Sequence, residues 1–143
     1  MKIGNCMTRD VHIASPDQTL RDAAITMASL DAGVLPVGEN DRLVGMITDR
    51  DIAIRAVGEG KGPDTPIREV MTRDVKYCFE DDDLADVAKN MGDEQVRRLP
   101  VVNRDKRLVG VVSLADIAGA DSSGKKTGKA IKEVTRPGGS HQT

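Results

Sequence analysis

The chain has 143 residues, 38% hydrophobic and 31% charged, with 21 Lys plus Arg against 23 Asp plus Glu and a formal net charge of -2. That is one domain's length and a soluble, globular composition, and the balanced charge is unlike the basic surface of a protein that coats DNA or RNA. One Tyr, one Phe and no Trp leave too few rings for a base-stacking platform or an aromatic cage, so a planar ligand has to be held by aliphatic side chains and backbone.

The opening segment, MKIGNCMTRD, has no apolar h-region, and no run of about 18 apolar residues occurs after it, so neither a signal peptide nor a membrane span is expected. Cys6 and Cys78 stand 72 residues apart and form no CxxC. Two unpatterned thiols without an export signal read as a reduced, cytoplasmic protein.

After a lead-in, Met7-Thr8-Arg9-Asp10-Val11, residues 11–14 read as a short extended piece. Thr19 is a cap residue with Asp22 three positions on, close to a capping box. Residues 20–30 then place Leu20, Ala23, Ala24, Met27 and Leu30 on one helical stripe. Two apolar runs, 34–37 and 43–48, flank the polar turn Gly38-Glu39-Asn40-Asp41 and predict a β-hairpin. A second helix is expected over 49–57. Residues 58–66, GEGKGPDTP, form a linker, and 67–71 a short helical lead-in to a second copy.

The second copy repeats the first in order. Met71-Thr72-Arg73-Asp74-Val75 matches the first lead-in at a shift of 64, and Leu99-Pro100-Val101 matches Leu35-Pro36-Val37 at the same shift. One residue later in register, Leu108-Val109-Gly110 and Asp116-Ile117-Ala118 repeat Leu43-Val44-Gly45 and Asp51-Ile52-Ala53. Residues 75–79 are extended, Asp83 caps a helix with the stripe Leu84, Val87, Ala88 and Met91, and the runs 99–102 and 108–112 make the second hairpin. The Pro inside each first run predicts an edge or a strand end. A last helix covers 114–119. The fold class is therefore α/β (α+β), two β-α-β-β-α repeats: 1–60 for the first, a linker at 58–66, 67–120 for the second. Residues 121–143 read as a flexible basic tail with about one helical turn at 129–134.

The chemistry concentrates in Gly45-Met46-Ile47-Thr48-Asp49-Arg50-Asp51 and its echo, Gly110-Val111-Val112-Ser113-Leu114-Ala115-Asp116. In each, a strand ends on a hydroxyl placed to cap the next helix. A helix start presents unpaired N–H groups and suits a phosphate, and a carboxylate can accept from both hydroxyls of a ribose. Ordinary helix capping explains either copy alone; two copies in one register favour a ligand site. Other candidates are weaker. Glu80-Asp81-Asp82-Asp83 precedes a helix, where negative charge is favourable without a metal, and His12, His141, Cys6 and Cys78 lack metal-ligand spacing. No metal, no catalytic constellation and no enzyme is expected.

This tandem pattern, with its Gly, two apolar residues, Thr or Ser, two variable residues and Asp, resembles a cystathionine-β-synthase (CBS) domain pair, or Bateman module. The resemblance spans about residues 3–120, leaving no room for a catalytic domain. TDRD at 48–51 and VRRLPV at 96–101 resemble the small stand-alone prokaryotic CBS-pair proteins of the hypoxic-response type. It implies two repeats packed about a pseudo-two-fold axis as one module, a homodimer, and adenosine ligands: AMP, ADP or ATP, or S-adenosylmethionine or NAD. Asp51 and Asp116 would hold ribose. Thr48, Ser113, Arg97, Arg98 and Lys76 would face phosphate. Tyr77, Cys78, Val96 and Pro100 would line the base beside Thr48 and Asp51, and His12, Ile13, Ala14, Ala32, Val34 and Pro36 would do so beside Ser113 and Asp116. At the 64-residue shift Lys76, Arg97 and Arg98 replace His12, Gly33 and Val34, so the Thr48/Asp51 cleft is expected to take the more anionic ligand. The implied function is a non-catalytic, ligand-sensing module acting on a protein partner in trans, with no obligatory cofactor and neither nucleic acid nor membrane as partner. The alternative is a dimeric interaction or scaffold module whose clefts are vestigial.

Overall fold

The computed structural model describes residues 1–121 and 124–136. The chain divides into two compact units: His12–Val75, and Met1–Val11 together with Lys76 and the residues after it. No helix among the described residues is long and apolar enough to cross a membrane.

In the His12–Val75 unit, helix α1 (Leu20–Leu30) starts on the expected capping box: the Thr19 hydroxyl accepts from the Asp22 N–H and the Asp22 carboxylate from the Thr19 N–H. Leu20, Ala23 and Met27 are buried, whereas Leu30 is 52% exposed and Ala24 is also exposed, so the apolar stripe is narrower than its spacing predicts. Strands β1 (Val34–Glu39) and β2 (Arg42–Thr48) form the hairpin. Asn40 and Asp41, both at positive φ (55° and 64°), make the tight turn whose twist suits a two-residue hairpin. The extended piece before α1 reduces to a single bridge, Ala14 to Val37. The helix expected after β2 is π-helical over Asp51–Ala56 and continues as a 3-10 turn, Val57–Glu59.

The other unit repeats the plan. It comprises β3 (Cys78–Phe79), α2 (Leu84–Glu94), β4 (Arg98–Val102), β5 (Leu108–Ser113) and α3 (Leu114–Ala120), with sheet order β3-β4-β5. Cys78 pairs in parallel with Val101, as Ala14 does with Val37, and both hairpins carry an irregularity at the same place. The Asp83 cap accepts from the Ala85 N–H rather than closing a box with Asp86.

Pro100 overturns one expectation, because β4 is the central strand. It is tolerated because it faces Val111, whose own N–H and C=O turn away to Thr8 (both 2.9 Å). Pro100 thus sits at a position of the antiparallel ladder where no hydrogen bond to β5 is made. Pro36 faces Met46, which turns to Thr72 in the same way.

These outward bonds expose the main departure from the repeat boundaries. The first Met-Thr lead-in completes the unit of the second repeat, and the second lead-in completes that of the first. Ile3, fully buried, and Met7 enter the core formed by Leu84, Val87, Met91 and Val101. Ile67, Val70 and Met71 enter the core of Leu20, Leu35 and Ile47. Matching backbone bonds anchor both: Ile3 N–H to Asp82 O and Leu84 N–H to Met1 O in one unit, Ile67 N–H to Gln18 O and Leu20 N–H to Thr65 O in the other.

The C-terminal segment also departs from expectation. Residues Lys125–Val134 form a ten-residue helix, α4, where a flexible link and one turn were expected. Ala130 and Val134 are 2% exposed, and a Cβ on Gly92 would lie 3.2 Å from Glu133 Cβ and 3.4 Å from Ala130 Cα. The Gln95 side chain, at the end of α2, donates to the Glu133 carbonyl (2.9 Å). Small residues on α2 (Ala85, Ala88, Gly92) let α4 seat closely, with a cavity of about 240 Å³ left between the helices. The remainder of the expected tail, 137–143, lies outside the described residues.

Gly45 and Gly110 are the contact points of the two lead-ins. A Cβ on Gly110 would stand 2.7 Å from the Thr8 carbonyl oxygen and 2.9 Å from Met7 Sδ; one on Gly45 would stand 2.8 Å from both the Thr72 carbonyl and Met71 Sδ. Overpacking of this kind costs about 1–3 kcal/mol. Gly119, in α3, has nothing within 4 Å of its Cβ position, and replacing an unconstrained helical Gly by Ala stabilises by about 0.4–1 kcal/mol. Gly110→Ala should therefore lower, and Gly119→Ala raise, the urea midpoint.

Candidate functional site

Strand β2 delivers Thr48 at its end, and the chain turns into the helical segment carrying Asp51. The Asp51 N–H donates to Thr48 Oγ1 (2.9 Å) and the Thr48 N–H donates to Asp51 Oδ2 (3.1 Å). Asp51 is only 9% exposed. The second repeat builds the same pair: the Asp116 N–H donates to Ser113 Oγ (3.1 Å) and the Ser113 N–H to Asp116 Oδ2 (3.0 Å). In each, Oδ2 accepts from the chain and Oδ1 takes no part in the cap; two acceptor oxygens on one carboxylate are what a ribose diol requires.

The helix starts offer less to a phosphate than the sequence suggested. The N–H groups of Asp49, Arg50 and Asp51 go to Gly33 O (2.9 Å), Asp49 Oδ1 (2.8 Å) and Thr48 Oγ1. Those of Leu114 and Asp116 go to Arg97 O (3.0 Å) and Ser113 Oγ. The donors left at the first start are the Thr48 hydroxyl proton and side-chain cations.

The surroundings of the two carboxylates differ between repeats. Asp51 Oδ1 lies 3.6 Å from Arg55 Nη1, which is also 3.4 Å from Thr72 Oγ1. Arg55 gives way to Ala120 at the 65-residue shift, and Asp116 Oδ2 instead meets the Thr8 hydroxyl directly (3.5 Å). Sequence reasoning missed Arg55, Thr8 and Thr72. The i,i+4 spacing of Asp51 and Arg55 was the available signal for the first; nothing local signalled the threonines.

The remaining expected site residues fall within their own units. Arg98 pairs with Ser113 across the β4–β5 ladder, as Val34 does with Thr48 across β1–β2. Arg97 is exposed and Arg98 half-buried. The Lys76 ammonium is held 2.8 Å from Glu94, so its charge is partly neutralised, a partner the sequence did not reveal. Tyr77, 41% exposed, packs edge-on against Phe79 with ring centroids 5.7 Å apart. Cys78 and Val96 are core side chains of one unit and Ala14 of the other; what they offer a ligand is backbone. Val34, Pro36 and Pro100 are also buried, Ala32 is half-buried, and His12 and Ile13 are exposed. Gly33 does not have positive φ. Its missing side chain is matched by Asp49, whose Oδ2 would lie 2.9 Å from a Cβ there. The Ala32–Val34 turn thus carries a carboxylate where the second repeat carries Leu114 beside Arg97.

The acidic run is engaged locally. Asp81 pairs with Arg104 (2.8 Å), Asp82 accepts from the Phe79 N–H (2.9 Å), and Asp83 caps α2 and meets the N-terminal ammonium (3.3 Å). No group of three His, Cys, Asp or Glu that could hold a metal occurs among the described residues; His141 lies outside them.

The chain belongs to the CBS domain family, which matches residues 3–58 and 67–123. It is 37% identical over 133 residues to the CBS domain-containing protein YhcV of Bacillus subtilis, covering 93% of this chain and 94% of that protein. It is 40% identical over 114 residues to Hypoxic response protein 1 of Mycobacterium tuberculosis, covering 78% of this chain and 79% of the relative. A crystal structure of Hypoxic Response Protein I with two coordinated zinc ions superposes with a TM-score of 0.76 at 36% identity, over 83% of this chain and 98% of that one. The CBS domain pair of protein MJ0100, in complex with 5′-methylthioadenosine and S-adenosyl-L-methionine, gives 0.74 at 28% identity, over 87% and 98%.

Burial pushes the Cys78 thiol up from 9.0 to about 12, with the Asp82 charge adding to it. Because the unfolded thiol ionises at lower pH than the folded one, its contribution to stability is complete below 9 and is lost as pH rises toward 12. Between about pH 8 and about pH 10 the wild type should lose about 1.4 kcal/mol more stability than Cys78→Val, read from urea unfolding at the two pH values.

Proposed function

We propose that the protein is a regulatory module that senses an adenosine ligand (AMP, ADP or ATP, or S-adenosylmethionine or NAD) without chemically transforming it, and acts on a protein partner in trans. Asp51 and Asp116 hold ribose, Thr48 and Ser113 face phosphate, and Arg97 and Arg98, with Lys76 in part, supply positive charge. The observation that carries this reading is the hydroxyl–carboxylate pair built twice with the same hydrogen bonds, neither of which uses the carboxylate's Oδ1. Membership of the CBS family and the likeness to the ligand-bound MJ0100 pair support the ligand class.

Local charge supports an unequal pair of sites. Asp49 beside Gly33 makes the His12 and Ala32–Val34 segments unfavourable to an anion. Arg97 and Arg98, which match carboxylate and phosphate geometry bidentately, make the segment at the start of β4 favourable. We assign the dominant site for a phosphorylated ligand to the Thr48/Asp51 pair, whose own repeat adds the Arg55 guanidinium where the second has Ala120. Homodimerisation is part of this reading, supported by exposed apolar side chains on the first-repeat helices, among them Ile25 (61%) and Val57 (69%).

Calorimetric titration of the purified protein with AMP, ATP, S-adenosylmethionine and NAD tests it. Saturable binding near one ligand per chain is expected. Asp51→Ala should weaken it at least tenfold, about the loss of one charge-assisted hydrogen bond, and Asp116→Ala should weaken it less. Silence across the panel in a protein that unfolds cooperatively would replace this reading with a dimeric interaction module.

A further inference from the structure

We infer that Arg55 is a specificity-determining residue of the Thr48/Asp51 site: with Asp51 it reads a ribose hydroxyl as both donor and acceptor, so this site discriminates ribonucleotides from deoxyribonucleotides more sharply than the Ser113/Asp116 site does. This rests on the assignment of Asp51 to ribose.

The geometry assigns the two oxygens of Asp51 different tasks. Oδ2 is fixed by the Thr48 N–H at 3.1 Å and cannot turn without opening the cap. Oδ1 is the oxygen left for a ligand, and Arg55 Nη1 stands 3.6 Å from it. That separation is too long for a strong direct hydrogen bond. A hydroxyl seated against both groups donates its proton to Oδ1 and accepts from the guanidinium, which swings outward from its 3.6 Å ion pair to admit it. A 2′-deoxy sugar offers nothing at that point and leaves the carboxylate and the cation paired with each other. A hydroxyl read from both sides by charged groups is discriminated more strongly than one read by a carboxylate alone.

Two further features mark Arg55 as more than a surface pair. Its other contact is Thr72 Oγ1, at 3.4 Å, on the lead-in whose backbone is locked to Met46. The guanidinium is therefore held at both the helix and the lead-in. In the second repeat Ala120 stands where Arg55 does, and the equivalent threonine, Thr8, meets the carboxylate itself. The otherwise repeated constellation thus has a cation inserted between threonine and carboxylate in one copy only. The Arg55 side chain is 48% exposed, so its ion pair contributes little stability on its own, and its replacement leaves the core untouched.

The test is calorimetric titration of wild type, Arg55→Ala and Arg55→Lys with AMP and with 2′-deoxy-AMP, each variant's urea midpoint being recorded as a control on folding. Wild type should prefer AMP, and Arg55→Ala should shrink the AMP to 2′-deoxy-AMP affinity ratio about tenfold, chiefly by weakening AMP. Arg55→Lys, which keeps the charge but loses the planar fork, should fall between the two. An unchanged ratio in Arg55→Ala, or equal loss of both nucleotides, would overturn the inference while leaving Asp51 as a ribose ligand. Absence of AMP binding by the wild type would instead overturn the assignment it rests on, and this inference with it.

Discussion

The rest of the structure depends on one close approach, that of each Met-Thr lead-in over the glycine in the middle of β2 or β5. With a carbonyl oxygen 2.7–2.8 Å from where a Cβ would sit, only glycine lets the lead-in lie flat on the strand. Once there, it bonds through Thr8 to Val111 and through Thr72 to Met46 and so covers the open edge of the hairpin. It also satisfies the outward-facing groups of the residue opposite each proline. Finally it brings a threonine hydroxyl to the carboxylate that comes after the strand, directly in one repeat and through Arg55 in the other.

This division of labour explains why the motif glycine and the motif carboxylate occur together. The glycine acts on packing, not on ligand chemistry. A side chain there would displace the lead-in and, with it, Ile3 and Met7, or Ile67 and Met71, from their cores. Burying one such side chain is worth about 1.5–3 kcal/mol. The carboxylate acts first on the local chain, by holding the preceding N–H. Its second oxygen takes no part in that cap, and at Asp51 it faces Arg55. Under the proposed function, capping and recognition are served by different atoms of one residue.

The repeat, the capping box at Thr19, the hairpins and the hydroxyl–carboxylate pairs were legible because each is a local pattern: a period, a cap spacing, a turn flanked by apolar runs. The crossed attachment of the lead-ins was not. Met7 and Met71 look alike in sequence, and nothing near either says which hairpin it will cover, since that contact spans more than a hundred residues for Thr8 and Val111. The ion pair of Lys76 with Glu94 is missed because it joins the approach to β3 with the end of α2 at a spacing that matches no local pattern. Helix α4 escaped because its segment, KKTGKAIKEV, contains Gly and Thr and reads as weakly helical on its own. It is held by tertiary packing of Ala130 and Val134 over the small residues of α2. Placing Cys78, Ala14 and Val96 in a ligand pocket came from family position alone, whereas their side chains go to the cores.

Duplication fixed the backbone frame of both repeats, and divergence then acted on side chains that the frame does not use. The bridges of Ala14 and Cys78, the bulges and the reciprocal caps match residue for residue. Gly33 against Arg97, Val34 against Arg98, Asp49 against Leu114 and Arg55 against Ala120 do not. All four substitutions change charge, and all lie within a few residues of the hairpin strands that carry the site. None is one of the buried residues that form the two core clusters, though Leu114 and Ala120 pack against one of them. Charge changes run through both repeats, Arg21 against Ala85, Ile25 against Lys89 and Leu30 against Glu94 among them, so number does not set these four apart. Position does: they stand beside a hydroxyl–carboxylate pair that both repeats keep, where a changed charge alters which anion is favoured.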